Sequence, residues 1–187
     1  DLTVREKREL LLMARNHLRH KLQGGPAVAI PENLPILKAS PGVFTSYHKK
    51  GDLRGCIGFI VGFKSLQESF FEIVEAAAFR DPRFPAIRAE ELSDIDIEIS
   101  LLTPPQLIDS WKKIQPGLHG VILSDGYHQA TFLPQVAAEQ GWTLEEMLSS
   151  LALKAGLRHN DFKSSAIKYE VYTAIVFNEK DLGLTQR

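Results

Sequence analysis

The sequence predicts an α+β fold in which helices pack on antiparallel sheets. Three capping boxes, which begin at Thr3, Ser65 and Thr143, mark the starts of helices. Two glycine-containing turn signals, at residues 49–52 and at Asp125-Gly126, separate runs rich in strand-forming residues and so predict hairpins. Because helices and strands do not alternate as they do in βαβ units, we expect antiparallel sheets.

The helices have stop signals as clear as their starts. Apolar residues recur at helical spacing behind the first two capping boxes, as Leu66, Phe70, Ile73 and Ala77 do in the second helix. Glycine can end a helix and proline cannot continue one. The first helix therefore ends at Gly24, the second before the proline-rich residues 81–85, and the third at Gly156.

The predicted strands are short and mostly paired in sequence. The run at residues 94–102 alternates apolar and polar residues, which is typical of a strand with one face buried. The other predicted strands are residues 42–48 and 53–61, and residues 118–124 and 127–133; residues 168–177 are a final β-rich run. Residues 27–41 contain three prolines and are predicted to form an irregular connector.

Composition limits the class of protein. The 187 residues suit one domain spanning 1–187, or one domain with two lobes that share a core. No stretch reaches the roughly 18 apolar residues of a membrane helix, and residues 1–10 lack the apolar region of a signal peptide. The single cysteine favours a reducing compartment, so we expect a cytoplasmic protein. A net charge of −1 disfavours general nucleic-acid binding.

Cys56 is the most informative candidate for a functional residue. In a regular strand Asp52, Arg54, Cys56 and Gly58 share one face, with the core on the other. The Arg54 guanidinium would then favour the reactive thiolate, and glycines at 55 and 58 would let a ligand approach. The alternative is that Cys56 packs as a small hydrophobic residue and that the glycines mark a bulge, which would reverse the face assignment.

The residues around this cysteine resemble a known family. The hexapeptide Leu53-Arg54-Gly55-Cys56-Ile57-Gly58 is the hallmark of the AMMECR-domain family. Further matching segments follow in the same order, at residues 81–85, 98–100, 102–104, 118–120, 131–137 and 154–157. The resemblance runs from the first helix to about Phe177.

The resemblance implies a fold and a set of associations, but not a reaction. Proteins of this family have two α+β lobes, and the hexapeptide lines a cleft. In prokaryotes the family is associated with a Memo-like protein, related to extradiol dioxygenases, and with a radical-SAM protein. This chain is similar to component A of such AmmeMemoRadiSam systems. The resemblance therefore suggests an enzymatic pathway with several proteins and leaves the role of this one open.

Other candidate site residues lie in the matching segments. Arg83 could bind a carboxylate or phosphate, or pair with a nearby acid such as Asp81, which we expect to cap a helix beginning at Pro82. Glu98 is a candidate ligand-binding residue on the polar face of its strand. With Asp96 it could hold a metal, but no nearby histidine completes a ligand set, and we predict no metal site.

His119 is the candidate catalytic partner of Cys56, because a cysteine and a histidine can supply a nucleophile and its base. The sequence lacks a phosphate-binding loop, a dinucleotide-binding glycine motif, a nucleophile-elbow serine and an HExxH helix, and it leaves any cofactor unknown. Three hypotheses follow. The first is an enzyme, or a substrate-binding component of one, that uses a cleft around Arg54 and Cys56. The second is a binding or scaffold subunit without catalysis. The third, less favoured by the balanced charge, is RNA or nucleotide binding.

Overall fold

The computed structural model describes residues 2–185, so Asp1 and the last two residues lie outside the description. The elements described are four α-helices and eight strands, together with short 3-10 segments. The helices are α1 (Val4–Gln23), α2 (Leu66–Phe79), α3 (Gln135–Gln140) and α4 (Leu144–Lys154). The strands are β1 (Gly42–Lys49), β2 (Asp52–Phe59), β3 (Ile95–Leu102), β4 (Gln106–Ile108), β5 (Gly120–Ser124), β6 (Gln129–Phe132), β7 (Lys168–Tyr172) and β8 (Ala174–Asn178). The predicted fold class is confirmed, since the elements form two antiparallel sheets with packed helices.

Helix ends follow the local chemistry of the sequence. All three predicted capping boxes form, and at the first of them the Glu6 backbone N–H donates to Thr3 Oγ1 over 3.2 Å. Gly156 follows the end of α4 with a φ of +86°, a conformation that glycine adopts without strain. None of the described helices is both long and apolar enough to cross a membrane.

The chain divides into two compact units, and one of them is discontinuous. The first unit contains residues 1–101 and 175–187, and the second contains residues 102–174. Each unit has its own hydrophobic cluster. Residues 102–174 are therefore an insertion between two segments of the first unit.

The first unit is built on a sheet in the order β2-β1-β3-β8, which makes β2 an edge strand. One face of this sheet carries buried side chains, including Val43 and Tyr47 of β1, in the same cluster as α1 and α2. The Tyr47 hydroxyl donates to the Val74 carbonyl of α2 over 2.8 Å. The sheet thus has a core face, and polar side chains such as Ser46 and Glu98 lie on the opposite face.

The hairpin β1–β2 departs from regular pairing. Its turn has only two residues, Lys50 and Gly51, both with positive φ, as tight hairpin turns require. The register then shifts: His48 pairs with Leu53, but Tyr47 pairs with Gly55. Arg54 is consequently an extra residue, and the strand bulges at this point.

The second unit has a sheet in the order β4-β7-β5-β6. The predicted hairpin around Asp125-Gly126 forms between β5 and β6. The β-rich run predicted at residues 168–177 forms two strands, because Thr173 divides it into β7 and β8, which belong to different sheets. Thr173 exchanges two hydrogen bonds with Thr103, of 2.9 and 2.8 Å, which bring the two ends of the insertion together.

Candidate functional site

Cys56 lies on the face of the first sheet opposite the core. Its neighbour across the hairpin is Ser46, whose hydroxyl donates to the Cys56 sulfur over 3.1 Å. The flanking residue Ile57 packs against the core cluster, so the strand alternation directs Cys56 away from it. Cys56 is neither fully buried nor fully exposed. The thiol therefore lies in polar surroundings at the edge of the sheet.

The loop after α2 covers the backbone of β2 at Cys56. The Cys56 backbone N–H donates to Asp81 Oδ2 over 2.9 Å, and Arg83 Nη2 donates to the Cys56 carbonyl over 3.3 Å. Arg83 also donates to both carboxylate oxygens of Asp81, from Nε over 3.1 Å and from Nη2 over 2.8 Å. The expectation that Asp81 caps a helix at Pro82 is wrong, because the chain turns there and Asp81 instead holds the turn and the strand together.

The Asp81 carboxylate is strongly stabilised in its charged form. Hydrogen bonds from the Arg83 side chain, together with backbone donors of Cys56 and Arg83, lower the pKa of Asp81 to about 2, although burial opposes this. The same contact raises the pKa of Arg83. At neutral pH the pair is therefore fully ionised, and the Arg83 side chain remains 58% exposed.

The electrostatics of the thiol differ from the prediction. Burial raises the pKa of Cys56, and the negative charges of Asp81 and Glu98 act in the same direction. The Ser46 hydrogen bond and the positive charge of Arg83 oppose this rise without reversing it. The resting thiol is therefore protonated at neutral pH, whereas the sequence led us to expect a favoured thiolate.

Arg54 faces a different set of groups from those predicted. Its guanidinium binds the Glu91 carboxylate through Nε over 3.1 Å and Nη2 over 3.0 Å, and Nη1 donates to the Pro85 carbonyl over 2.7 Å. Only 13% of the side chain is exposed. The bulge that makes Arg54 an extra residue breaks the alternation on which the shared face of Arg54 and Cys56 depended.

The two glycines predicted to bind a ligand lie close to protein atoms. A Cβ at Gly55 would lie 2.2 Å from the Ala77 carbonyl oxygen of α2. A Cβ at Gly58 would lie 2.0 Å from the Val43 carbonyl oxygen and 2.6 Å from Phe44 Cγ. Both glycines are thus required for packing within the first unit, and their contact with a ligand stays a prediction.

Glu98 lies on β3 among residues that alternate as predicted. Ile95, Ile97 and Ile99 are buried, while Asp96 and Glu98 are half-buried. Asp96 accepts the Lys180 backbone N–H over 3.0 Å. Glu98 is close enough to influence the titration of Cys56. Within residues 2–185, no group of three or more histidine, cysteine, aspartate or glutamate side chains is arranged to hold a metal ion.

His119 belongs to the second unit, and its pairing with Cys56 stays a prediction. Its Nδ1 lies 3.0 Å from the backbone nitrogen of Gln115. A backbone N–H can only donate, so Nδ1 is the acceptor and the proton of the neutral ring resides on Nε2. In this tautomer His119 offers a hydrogen-bond donor at Nε2 and not a base.

Sequence reasoning missed two residues of this region, Ser46 and Glu91. Ser46 is one of several polar residues in its strand, which is a weak signal by itself. Glu91 is separated from Arg54 by 37 positions, and its contact arises only when the loop folds back along β2. Neither position could be assigned from spacing.

These features define a class of protein: an antiparallel α+β fold that holds one polar, half-buried thiol near its sheet edge. A family model described as AMMECR1 matches residues 11–177, and the chain belongs to this family. A protein of Methanothermobacter thermautotrophicus is 38% identical over 93% of this chain and 94% of its own length. One from Methanopyrus kandleri is 39% identical over 96% and 91%.

The fold is similar to a solved structure of comparable length. The crystal structure of the uncharacterized protein PH0010 from Pyrococcus horikoshii superposes with a TM-score of 0.84. It is 33% identical in sequence, with 94% of this chain and 92% of that chain covered. The predicted family and fold are thereby confirmed.

Proposed function

We propose that this chain is an enzyme component that holds a small-molecule substrate against the Cys56 side of its first sheet. The observation that carries the proposal is the environment of Cys56: its sulfur receives a hydrogen bond from Ser46, and its backbone is bound by the charged pair of Asp81 and Arg83. A cysteine that served only as a packing residue would be expected among hydrocarbon side chains. The charged groups support a role in contact with a polar ligand.

The protonated state of the thiol constrains its chemistry. Because burial and two carboxylates raise its pKa, Cys56 attacks an electrophile only if its proton is removed as the bond forms. In this proposal Glu98, whose charge influences the thiol, accepts that proton. In this proposal Arg83 neutralises negative charge on the substrate or on the sulfur.

The proposal is tested by the rate of Cys56 alkylation with neutral iodoacetamide across pH. We expect slower alkylation at pH 7 than for an unfolded control, because the thiolate fraction is small. Glu98→Gln removes a negative charge and should move the rate profile to lower pH. Arg83→Gln removes a positive charge and leaves the negative charge of Asp81 uncompensated, so it should move the profile to higher pH.

The matched control is Glu72→Gln, which removes an exposed carboxylate from α2, the helix on the core side of the sheet. If Glu98→Gln and Arg83→Gln leave the profile where Glu72→Gln leaves it, these residues do not share a site with the thiol. A Cys56 that alkylates as fast at pH 7 as the unfolded control would also contradict the proposal.

A second candidate is a binding subunit without catalysis. It is supported by the contacts of the hexapeptide, most of which are made with other parts of the protein. Arg54 pairs with Glu91, and the space beside Gly55 and Gly58 is occupied by neighbouring protein atoms, so much of the motif has a structural role. Cys56→Ser separates the two candidates. A binding subunit keeps its affinity for a partner after this substitution, whereas an enzyme component that uses the sulfur loses turnover.

The partners proposed for either candidate come from the family resemblance. They are a Memo-like protein and a radical-SAM protein in the cytoplasm, with a small-molecule substrate. Titration of this purified chain with each purified protein tests the association. Saturable binding would support it, and the absence of binding to both proteins would contradict it.

A further inference from the structure

A surface cavity of about 390 Å³ is lined by Arg54 of the hexapeptide and does not include Cys56 in its lining. It is formed within the first unit by the end of β1, the bulge of β2 and the segment at residues 85–91. Lys49, Arg54 and Arg88 contribute cations to its lining, and Glu90 and Glu91 contribute carboxylates. Its volume is within the range of about 300 to 1,000 Å³ typical of small-molecule sites.

The charged residues of this cavity differ in how strongly they are paired with one another. Glu91 binds both Arg54 and Lys49, with Lys49 Nζ 2.9 Å from its Oε1. The hydrogen bond from Arg54 is the main reason that the pKa of Glu91 falls to about 2, so this carboxylate stays ionised. One carboxylate thus faces two cations, and the cluster keeps an excess of positive charge.

Arg88 is the cation most easily recruited by a ligand. Its side chain is 74% exposed and pairs with the exposed carboxylate of Glu90. Exposed ion pairs contribute little stability because water screens both charges. An anion that enters the cavity can therefore replace Glu90 as the partner of Arg88 at small cost.

We propose that this cavity binds a small organic anion with a phosphate or carboxylate head group. The head group binds Arg88 and Lys49, because guanidinium and ammonium groups pair well with anionic oxygens. The apolar part of the ligand lies on Pro85 and Ala86, which line the same cavity. Arg54 stays with Glu91 and positions the cations without binding the ligand itself.

The test is calorimetric titration of the full chain with phenyl phosphate and, separately, with benzoate. We expect saturable binding of at least one, with a dissociation constant of about 1 mM or tighter. Arg88→Gln and Lys49→Gln should each weaken it by about tenfold or more, because each removes a charge-assisted hydrogen bond. Comparison of the two probes distinguishes a phosphate from a carboxylate ligand.

The matched control is Arg158→Gln. Like Arg88, Arg158 precedes a 3-10 segment, donates its backbone N–H to a carboxylate and pairs its side chain with an acid, but it belongs to the second unit. This variant should bind the probe as the unsubstituted chain does. Binding that is absent for both probes, or equally affected by Arg88→Gln and Arg158→Gln, would overturn the proposal. Cys56→Ser should leave binding unchanged, so this result is independent of the role of the thiol.

Discussion

Gly55 is a point of close contact between the edge strand β2 and helix α2. Its neighbour in the helix is a backbone carbonyl, that of Ala77, which cannot move without displacing the helix. Tyr47, paired with Gly55 across the hairpin, anchors its hydroxyl to the same helix at Val74. The glycine is therefore needed for the contact between strand and helix, and this contact fixes the position of Cys56, the next residue.

Gly55→Ala should destabilise the protein strongly. The added methyl group would overlap the Ala77 carbonyl oxygen, so β2 and α2 must separate. Overpacking of this kind costs about 1 to 3 kcal/mol, and more where the obstacle is backbone. Urea denaturation followed by circular dichroism measures the change in the free energy of unfolding.

Cys56→Ala is the control for Gly55→Ala, because it alters the adjacent residue on the opposite face of the same strand. It removes the sulfur and its hydrogen bond with Ser46 but introduces no overlap. We expect a smaller loss of stability than for Gly55→Ala. Equal losses would mean that the contact between β2 and α2 adjusts freely, in contradiction to the packing described.

At the scale of elements, the segment from Asp81 to Glu91 acts as a cover for the exposed edge of β2. An uncovered edge strand presents unpaired backbone groups to other chains. Here Asp81 and Arg83 satisfy the backbone of Cys56, and Arg54 ties Pro85 and Glu91 to the bulge. The hexapeptide and the proline-rich segment are thus two parts of one structural unit.

The stability of this cover should depend on pH. The pKa of Asp81 is lowered to about 2 by the Arg83 side chain, against about 4 in an unfolded chain. A carboxyl group with a lowered pKa stabilises the fold above its unfolded value, and this stabilisation is lost as the pH falls from about 4 toward 2. It amounts to on the order of 2 kcal/mol for a shift of this size.

Asp81→Asn tests this dependence, because the amide cannot titrate. Urea denaturation at several pH values between 2 and 5 should give a shallower loss of stability at low pH than in the unsubstituted chain. The variant should also be less stable at pH 7, where the ion pair with Arg83 is lost. A loss as steep as that of the unsubstituted chain would show that Asp81 is not stabilised by its partners.

Elements with local signals could be predicted from the sequence. The neighbours of Cys56 could not, because they depend on the bulge at Arg54. The capping residues Thr3, Ser65 and Thr143 act on neighbours three positions away, so their helices were predictable. Regular counting from the pair Lys49 and Asp52 would place Cys56 opposite Thr45. The bulge at Arg54 moves its partner to Ser46 instead. Nothing local to the hexapeptide distinguishes the two registers, since the bulge is stabilised by the distant Glu91.

At the scale of the whole molecule, the path of the chain determines which segments complete the first unit. The final strand β8 joins the first sheet beside β3 after the insertion of residues 102–174. A continuous β-rich run at residues 168–177 carries no sign that its two halves enter different sheets. The pairing depends on contacts between residues far apart in sequence, which patterns of neighbouring residues do not report.

A buried ion pair connects the returning segment, the residues from β8 to Glu179, to the first helix. Arg15 of α1 donates to Glu179 from Nε over 2.8 Å and from Nη2 over 2.5 Å. Arg15 also donates to the carbonyls of Leu92 and Ile95, and Glu179 accepts the Ile97 backbone N–H over 2.9 Å. One charged pair thus connects α1, the start of β3 and the residues after β8.

Glu179→Gln should destabilise the protein by about 3 to 5 kcal/mol, because it leaves the buried Arg15 guanidinium without a counter-charge. The amide introduced by this substitution would still offer an oxygen to the Ile97 backbone N–H, so the loss reports the charge and not the backbone contact. Arg15→Met leaves the opposite charge unpaired and should cost a similar amount. The double variant removes both charges, and urea denaturation should show it to be less destabilised than the sum of the single variants. Strict additivity would mean that the returning segment is held by its apolar contacts and not by this pair.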